Sequence, residues 1–338
     1  MGPSQRWQRR KLLSSNRQEQ TVAQSETTRQ KPGIQSISYG RLLWINIENP
    51  TEVEIEYLAE NYPFHKLELD DCLSRIQRPK IDHDEDDNYL FMVFHFPVFH
   101  KEARVTTVSQ VSVFLGRDYL ITLHEGNLKS LTTFFRDCSA NKETQDEAMS
   151  HSPGLLLYLI LDRLVTYCFP ILNKIGSNIE RVEDDIFDED ARSTVRELSM
   201  LWKDVISYQR MIKPQTEVFE WMEKSELPII KEDADVYFGD LADHNRKIMD
   251  SLNEYKEWVA GLNDNVGTLT SFRINQVMRL LTVISVILLP LTLVAGIFGM
   301  NIYPLTDNGN PTAITAVLIT MVVIVASMLV FFRVKRWI

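Results

Sequence analysis

The distribution of apolar positions changes sharply near the end of the chain. Leu280 to Phe298 contains nineteen consecutive uncharged residues, and Ala313 to Phe332 contains twenty more. Each segment has the length that an α-helix needs to cross about 30 Å of hydrocarbon. Because only fourteen residues separate the two segments, we predict a pair of membrane-spanning helices rather than a pair of buried core helices.

The part of the chain before residue 150 has the periodicities of a mixed α/β domain. Strands are predicted at 42–47, 89–96, 108–115 and 119–123, helices at 51–62, 67–76 and 128–138, and a hairpin turn at Gly116-Arg117-Asp118. From Leu155 onward only helical periodicity remains, and residues 155–188 and 191–221 predict an antiparallel helical hairpin. The predicted fold is therefore an α/β cytoplasmic domain, long helices and two C-terminal transmembrane helices.

A third long helix is predicted to begin near Asp235 and to continue into the first apolar span. Its apolar residues mostly alternate in steps of four and three from Leu241 to Leu269, which is typical of a helix packed along a seam. No strong helix breaker separates this run from the first apolar span, which begins at Leu280. A continuous helix from Asp235 to Phe298 would be about 95 Å long, and it would connect the cytoplasm mechanically to the membrane.

These patterns divide the chain into seven segments. They are a disordered basic tail (1–33), a cytoplasmic α/β domain (34–150), a long helical hairpin (151–234), a stalk helix that continues into the first transmembrane helix (235–299), an external loop (300–312), a second transmembrane helix (313–332) and a basic cytoplasmic tail (333–338).

Charge and cysteine content narrow the class of protein. The net charge is −10, yet residues 1–31 carry +5 and residues 273–338 carry +4, so the middle carries −19; this argues against a nucleic-acid partner, which needs a basic face. The three cysteines form no CxxC pair, which favours a reducing compartment. The sequence contains no P-loop, HExxH, GxSxG or Rossmann glycine pattern, so we predict that the protein is not an enzyme.

The basic residues beside the two spans predict the orientation in the membrane. Arg273 and Arg279 precede the first span, Arg333, Lys335 and Arg336 follow the second, and the connecting loop has neither lysine nor arginine. By the positive-inside rule, both termini are cytoplasmic. No signal peptide is visible. Residues 1–31 are basic and poor in acids, which is compatible with a mitochondrial location, but they lack an amphipathic apolar face, so we expect a multi-pass protein of a prokaryotic inner membrane.

Two helices cannot enclose a pore, so a pore would require several copies of the chain around an axis. The first span carries polar and small residues in steps of three, four and seven, with apolar residues beside them. The members of this stripe are Asn275, Met278, Leu281, Thr282, Ser285, Leu289, Thr292, Gly296 and Gly299. Such an uncharged stripe suits the lining of a cation pore, but small and hydroxyl residues also mediate tight helix packing in lipid, and periodicity alone leaves both open.

The loop after the first span provides the most specific signal. Phe298-Gly299-Met300-Asn301, followed by Tyr303-Pro304, resembles the aromatic-Gly-Met-Asn signature of the CorA family of magnesium channels. Segments 78–80, 88–91 and 237–244 also resemble that family. The resemblance implies a homopentamer in the bilayer, in which the first span lines the pore and Mg²⁺ enters, with Co²⁺ and Ni²⁺ also permeant.

The resemblance also implies roles for individual residues. Gly299, Met300 and Asn301 would form the selectivity filter, in which a ring of neutral amides contacts Mg²⁺ through the waters that this ion holds tightly. Asn275 would form a second amide ring, and Met278 and Leu281 a hydrophobic gate. Intracellular Mg²⁺ would close the channel at a regulatory site formed by Asp240, Asp243 and His244, with His100 and Glu102 on the opposite side.

A zinc transporter of the related ZntB branch is the alternative with the same architecture. His100 occupies a place where the family usually has an acid, and histidine suits softer metals such as Zn²⁺. Members of that branch usually depart from GMN at its middle residue, whereas this chain has Met300. The sequence therefore favours Mg²⁺ over Zn²⁺.

Overall fold

A computed structural model describes residues 33–74, 77–84, 88–100, 105–186, 191–225, 234–299 and 311–337. The predictions for the basic tail, Glu102, Met300, Asn301 and the external loop fall outside these residues. The strands are β1 (Ile34–Tyr39), β2 (Leu42–Glu48), β3 (Lys80–Asp84), β4 (Tyr89–His100), β5 (Val105–Leu115) and β6 (Tyr119–His124). They form one sheet in the order β1-β2-β6-β5-β4-β3, with β2 and β6 parallel and the other neighbours antiparallel.

Helices cover both faces of this sheet. They are α1 (Glu52–Asn61), α2 (Lys66–Leu73), α3 (Lys129–Ala140) and α4 (Lys142–Met149). Leu58 of α1 and Leu69 of α2 join Ile45 and Ile47 in a core on one face. On the other face Phe135 of α3 meets Trp44 edge-on at 4.9 Å between ring centroids.

The remaining described elements are helices: α5 (Pro153–Asp185), α6 (Ala191–Lys224), α7 (Ala234–Gly299) and α8 (Pro311–Val334). The first three pack together through buried polar contacts as well as apolar ones. Tyr208 donates to the Cys168 carbonyl at 2.8 Å, and Asn245 donates to the Ile212 carbonyl at 3.1 Å. Helix α7 is continuous over 66 residues, or about 99 Å.

Two compact units can be distinguished along the chain. The first comprises residues 1–181 and 199–259, and the second comprises residues 182–198 and 260–338. This division cuts across the predicted segments, because the long helices belong to both units. The boundary between an α/β domain and a helical hairpin at residue 150 stays a prediction.

Three described helices are long and apolar enough to cross a membrane. They are α5, the part of α7 that ends at Phe298, and Thr315–Val334 within α8. In α5, 56% of the most apolar window is buried inside the protein, whereas only 6% is buried in each of the other two. The apolar residues of α5 therefore serve its own core, while those of α7 and α8 remain exposed as lipid-facing residues would be.

Three elements were not predicted from the sequence. Strand β1 and helix α4 lie in stretches rich in polar residues, and β3 includes the charged residues Asp82 and Asp84. The structure pairs Asp82 with Phe91 and Asp84 with Tyr89 at the edge of the sheet. An edge strand with one solvated side tolerates such charges.

Candidate metal and ion-pathway sites

A cluster of three metal-ligating side chains lies between α5 and α7 in the first unit. Asp162 comes from α5, and Asp240 and His244 lie one turn apart on α7. One ligand atom from each residue lies within 4.8 Å of the others. His244 Nδ1 is 3.8 Å from Asp240 Oδ2, too far for a hydrogen bond, and it is buried without a hydrogen-bond partner among the described residues.

The surroundings of the cluster concentrate negative charge in a partly buried place. Burial raises the pKa of the Asp162 carboxyl, His244 opposes this rise, and Asp240 adds to it. Tyr158 donates to Asp240 Oδ2 at 3.4 Å. Burial and the adjacent carboxylates of Asp162 and Asp240 raise the pKa of Tyr158 to about 12. A divalent cation between the carboxylates would relieve their repulsion.

The donor set suits more than one divalent metal. Carboxylate oxygens are ligands that Mg²⁺ prefers, and Mg²⁺ usually keeps several waters beside one or two of them. The imidazole of His244 adds a nitrogen that suits Co²⁺, Ni²⁺ or Zn²⁺. The three side chains can therefore hold Mg²⁺ through Asp162 and Asp240, or a softer ion with His244 as an additional ligand.

The structure brings together only part of the predicted regulatory set. Asp240 and His244 belong to the cluster, but Asp243 points to Arg246, which also contacts Glu220 at 3.5 Å and Glu223 at 3.5 Å. Within the single chain Asp243 pairs with Arg246 and does not join the cluster, and its role as a neighbouring ligand stays a prediction. His100 lies at the end of β4 with Nε2 2.8 Å from Thr107 Oγ1, and it is not a member of the cluster.

Asp162 was not predicted as a ligand. It lies in the apolar stretch from Pro153 to Phe169, where Asp162 and Arg163 are the only charged residues. An acid in such a stretch is a signal, because burial of a carboxylate is unfavourable unless it has a partner. Its partner on α7 is distant in sequence, and only the packing of α5 against α7 shows it.

The predicted polar stripe lies on the second unit's part of α7. Met278, Leu281 and Leu289 are 55%, 56% and 68% exposed, and Asn275, Ser285, Thr292 and Gly296 are also exposed. The more buried apolar side chains of this part are those of Val283, Ile287, Pro290, Leu291 and Val294. At about 100° per residue, the stripe is centred roughly 170° away from these residues. Most of the stripe is therefore not used for packing within the chain, although Thr282 is half-buried and Thr292 lines a groove that it shares with Met321 of α8.

The two threonine hydroxyls of the stripe already donate hydrogen bonds within their own helix, as an apolar membrane would require. Thr282 donates its hydroxyl hydrogen to the Met278 carbonyl at 2.7 Å, and Thr292 donates to the Leu289 carbonyl at 2.8 Å. Each hydroxyl oxygen keeps lone pairs that can accept hydrogen bonds. A Cβ atom added at Gly296 would meet no atom within 4 Å, so no contact within the chain requires this glycine.

The described part of α7 ends at Gly299, and the remaining residues of the predicted filter, Met300 and Asn301, lie outside the described residues. Their roles stay predictions. The stripe ends directly before them in sequence, with Gly296 one turn before Met300.

A family model, a transport protein and a solved structure all show similarity to most of this chain. The chain matches the family described as CorA-like Mg²⁺ transporter protein over residues 39–336. It is 29% identical over 295 residues to the cobalt/magnesium transport protein CorA of Thermotoga maritima, covering 87% of this chain and 83% of that protein. The structure of the CorA magnesium transporter of Methanocaldococcus jannaschii matches with a TM-score of 0.78 and 24% identity, covering 89% and 94% of the two chains.

A zinc transporter is also among the similar proteins. The zinc transport protein ZntB of Yersinia pseudotuberculosis is 19% identical over 294 residues, which is 87% of this chain and 87% of that protein. The higher identity to a cobalt/magnesium transporter favours the magnesium interpretation over the zinc interpretation.

Proposed function

Because the chain belongs to the CorA-like Mg²⁺ transporter family, we propose that it is a channel for potential-driven influx of divalent cations, chiefly Mg²⁺, with Co²⁺ and Ni²⁺ also permeant. Family membership makes it a divalent cation transporter rather than an enzyme. An inside-negative potential supplies about 4.6 kcal/mol per 100 mV for a divalent ion, so no nucleotide hydrolysis is required.

The exposed stripe on α7 is the observation that carries this proposal. It contains no charge, it faces away from the packed side of its helix, and it leads to the Gly299-Met300-Asn301 motif. Five copies around an axis would bring five stripes together into a lining of amides, hydroxyls and apolar collars. The part of α7 after Arg279 and α8 would be the two spans, with both termini in the cytoplasm and the protein in the inner membrane.

The filter would select the hydrated ion. Mg²⁺ releases its waters reluctantly, so five Asn301 amides can bind it through those waters without stripping them. Gly299 would allow the backbones to approach closely, and Met300 would pack against its neighbours. Asn275 would form the second amide ring at the cytoplasmic mouth, and Met278 and Leu281 would close the pore by dewetting.

Intracellular divalent cations would regulate the channel at the cluster of Asp162, Asp240 and His244. A cation bound there would connect α5 to α7, and α7 continues without interruption into the span that carries the stripe. Binding would therefore bias the position of the pore helix. His100 and Glu102 of a neighbouring copy would complete the site in the assembly.

The test is ion flux into liposomes that contain the purified protein. We expect Mg²⁺ entry under an inside-negative potential, loss of this entry in Asn301→Ala, and unchanged entry in Asn308→Ala, which removes a matched amide from the same loop. No flux of any divalent ion through a folded oligomer would refute the channel proposal.

A zinc transporter is the second candidate, and His244 in the metal cluster is the observation that favours it. The same liposomes separate the two candidates. Zn²⁺ entry without Mg²⁺ entry would assign the protein to zinc transport. Mg²⁺ entry at least as fast as Zn²⁺ entry would reject this candidate.

A further inference from the structure

A groove lies between α3 and α5 in the first unit, and it contains none of the residues of the metal cluster or of the stripe. Its volume is about 680 Å³, which is within the range of small-molecule pockets. The walls include Lys129, Phe134 and Asp137 of α3 and Arg163 and Tyr167 of α5. Because Arg163 and Tyr167 are four residues apart, they lie on the same face of their helix.

Two contacts fix Arg163 against α3. Ser130 Oγ donates to the Arg163 carbonyl at 3.2 Å, which joins the backbone of α5 to the first turn of α3. The guanidinium carbon of Arg163 lies 3.8 Å from the centre of the Phe134 ring, which is a stacking distance for a cation on an aromatic face. Arg163 is therefore level with the middle of α3, between Lys129 at one end and Asp137 at the other.

The positive charges of this groove are not paired within the chain. The guanidinium of Arg163 has five N–H donors, and among the described residues only the Leu159 carbonyl accepts from it, at 3.4 Å. Neither Arg163 nor Lys129 has an ion-pair partner in the described part of the chain. Asp137 pairs instead with Arg136, whose Nε is 3.7 Å from Asp137 Oδ1. Two unpaired cations in a segment that carries −19 overall favour an anionic ligand over a metal ion.

The types of side chain indicate which anion would fit. A planar arginine fork and the point charge of a lysine both suit phosphate, and two cations match a phosphate dianion better than a single carboxylate. Arg163 is exposed, so the face of its guanidinium that does not contact Phe134 is open to a planar ring. Tyr167 adds a second aromatic wall.

We propose that this groove binds a phosphomonoester with an aromatic body, of the size of a nucleoside monophosphate. The phosphate would contact Lys129 and Arg163, and the aromatic body would lie along Arg163 and Tyr167. Asp137 would oppose the negative charge of the ligand without preventing binding, because Arg136 already offsets it. The site would be separate from the ion pathway, and the proposal does not depend on the ion that the protein transports.

Calorimetric titration of the purified full-length protein with adenosine monophosphate tests this proposal, with Mg²⁺ kept constant throughout. Adenosine lacks the phosphate, and inorganic phosphate lacks the aromatic body, so each serves as a control for one half of the ligand. We expect saturable binding of the nucleotide and binding at least about tenfold weaker for each control, because a charge-assisted contact or the stacking surface is lost. Equal affinity for the nucleotide and either control would overturn the proposal.

Two charge-removing variants locate the binding. Arg163→Gln and Lys129→Gln each remove a cation from an exposed side chain and should weaken nucleotide binding about tenfold. Arg117→Gln removes an exposed arginine from the turn between β5 and β6 and should bind as the parent does. Parental affinity in both Arg163→Gln and Lys129→Gln, or an equal loss in Arg117→Gln, would contradict the assignment.

Asp137→Asn provides a test with the opposite sign. Removing the carboxylate from the groove should strengthen nucleotide binding several-fold, because a like charge no longer opposes the phosphate. A gain of affinity cannot result from a loss of folding. Unchanged or lower affinity in Asp137→Asn would overturn the proposed position of the phosphate, and none of these measurements depends on ion flux.

Discussion

The carboxylates of Asp162 and Asp240 face one another from two different helices, close enough for one metal ion to contact both. Asp162 is half-buried, and its carboxyl has a raised pKa because of burial, an effect that Asp240 increases. Two carboxylates in such a place repel one another when no cation lies between them. The arrangement is therefore less stable without a divalent ion than with one.

The first prediction concerns Asp162→Asn. In EDTA the variant should unfold at a higher temperature than the parent, because the amide removes a desolvated negative charge beside Asp240. With Mg²⁺ the order should reverse, since a metal ligand has been lost. Outer-shell partners alone change metal affinity about 10–100-fold, so loss of a direct ligand should weaken Mg²⁺ binding at least about tenfold. Thermal unfolding across a Mg²⁺ titration measures both effects.

Asp243→Asn is the matched control for this experiment. Asp243 lies on the same helix, but it pairs with Arg246 and stays outside the cluster. The variant should keep the full Mg²⁺-dependent rise of the unfolding temperature. A Mg²⁺-dependent rise in Asp162→Asn equal to that of the parent would refute the role of the cluster.

The second prediction concerns the buried ring of His124, which accepts from the Gly126 amide and bonds Asn46 Oδ1 at 3.0 Å. Burial lowers its pKa from 6.5 to about 4. The unfolded chain therefore binds the proton more readily, and folding stability falls as the pH decreases from 6.5 to 4. The full effect is about 3 kcal/mol.

His124→Gln should remove this part of the pH dependence. The parent should lose stability relative to the variant between pH 6.5 and pH 4.5, as measured by thermal unfolding at both pH values. His151→Gln, which changes an exposed ring, serves as the control and should follow the parent. If the stability of the parent and that of His124→Gln fell equally between the two pH values, the His124 ring would not contribute to the pH dependence.

The third prediction concerns the hydroxyl of Thr292. If the stripe lines the pore, Thr292→Val removes an oxygen from the ion pathway at nearly constant volume and should reduce Mg²⁺ flux several-fold. Thr320→Val is the matched control, since the exposed Thr320 on α8 donates to the Ala316 carbonyl at 2.9 Å in the same way. If Mg²⁺ flux in liposomes were reduced equally in both variants, the result would contradict the prediction that the stripe, and not α8, lines the pore.

The sequence predicted the elements whose patterns are local. The continuous helix α7, the strands at the centre of the sheet and the turn at Gly116-Arg117-Asp118 all follow from periodicity and turn chemistry. Strand β1 is not evident from the sequence because the apolar residues of IQSISY are few and irregularly spaced, and the strand pairs only at the sheet edge. Its stability comes from the neighbouring β2, which no local pattern reveals.

The candidate sites also differ in whether a local sequence pattern or tertiary packing determines them. The stripe is a local pattern on one helix, and its separation from the packed side of α7 could be tested directly in the structure. The metal cluster depends on which residue of α5 opposes Asp240, and only tertiary packing determines this. The resemblance named Asp240, Asp243 and His244 as ligands, which stays a prediction, whereas Asp162 becomes visible only through the packing of α5 against α7.

The last prediction concerns the glycines of α7. Gly261, Gly267 and Gly296 have no atom within 4 Å of an added Cβ, so an alanine at any of them fits within the single chain. Alanine in a helix interior is favoured over glycine by about 1 kcal/mol, and Gly261→Ala should raise the unfolding temperature without changing flux. Gly296→Ala should be equally compatible with folding, yet five added methyl groups would narrow the proposed pore beside the filter. Mg²⁺ flux in liposomes should therefore fall in Gly296→Ala alone, and equal flux in the two variants would mean that Gly296 faces lipid rather than the ion pathway.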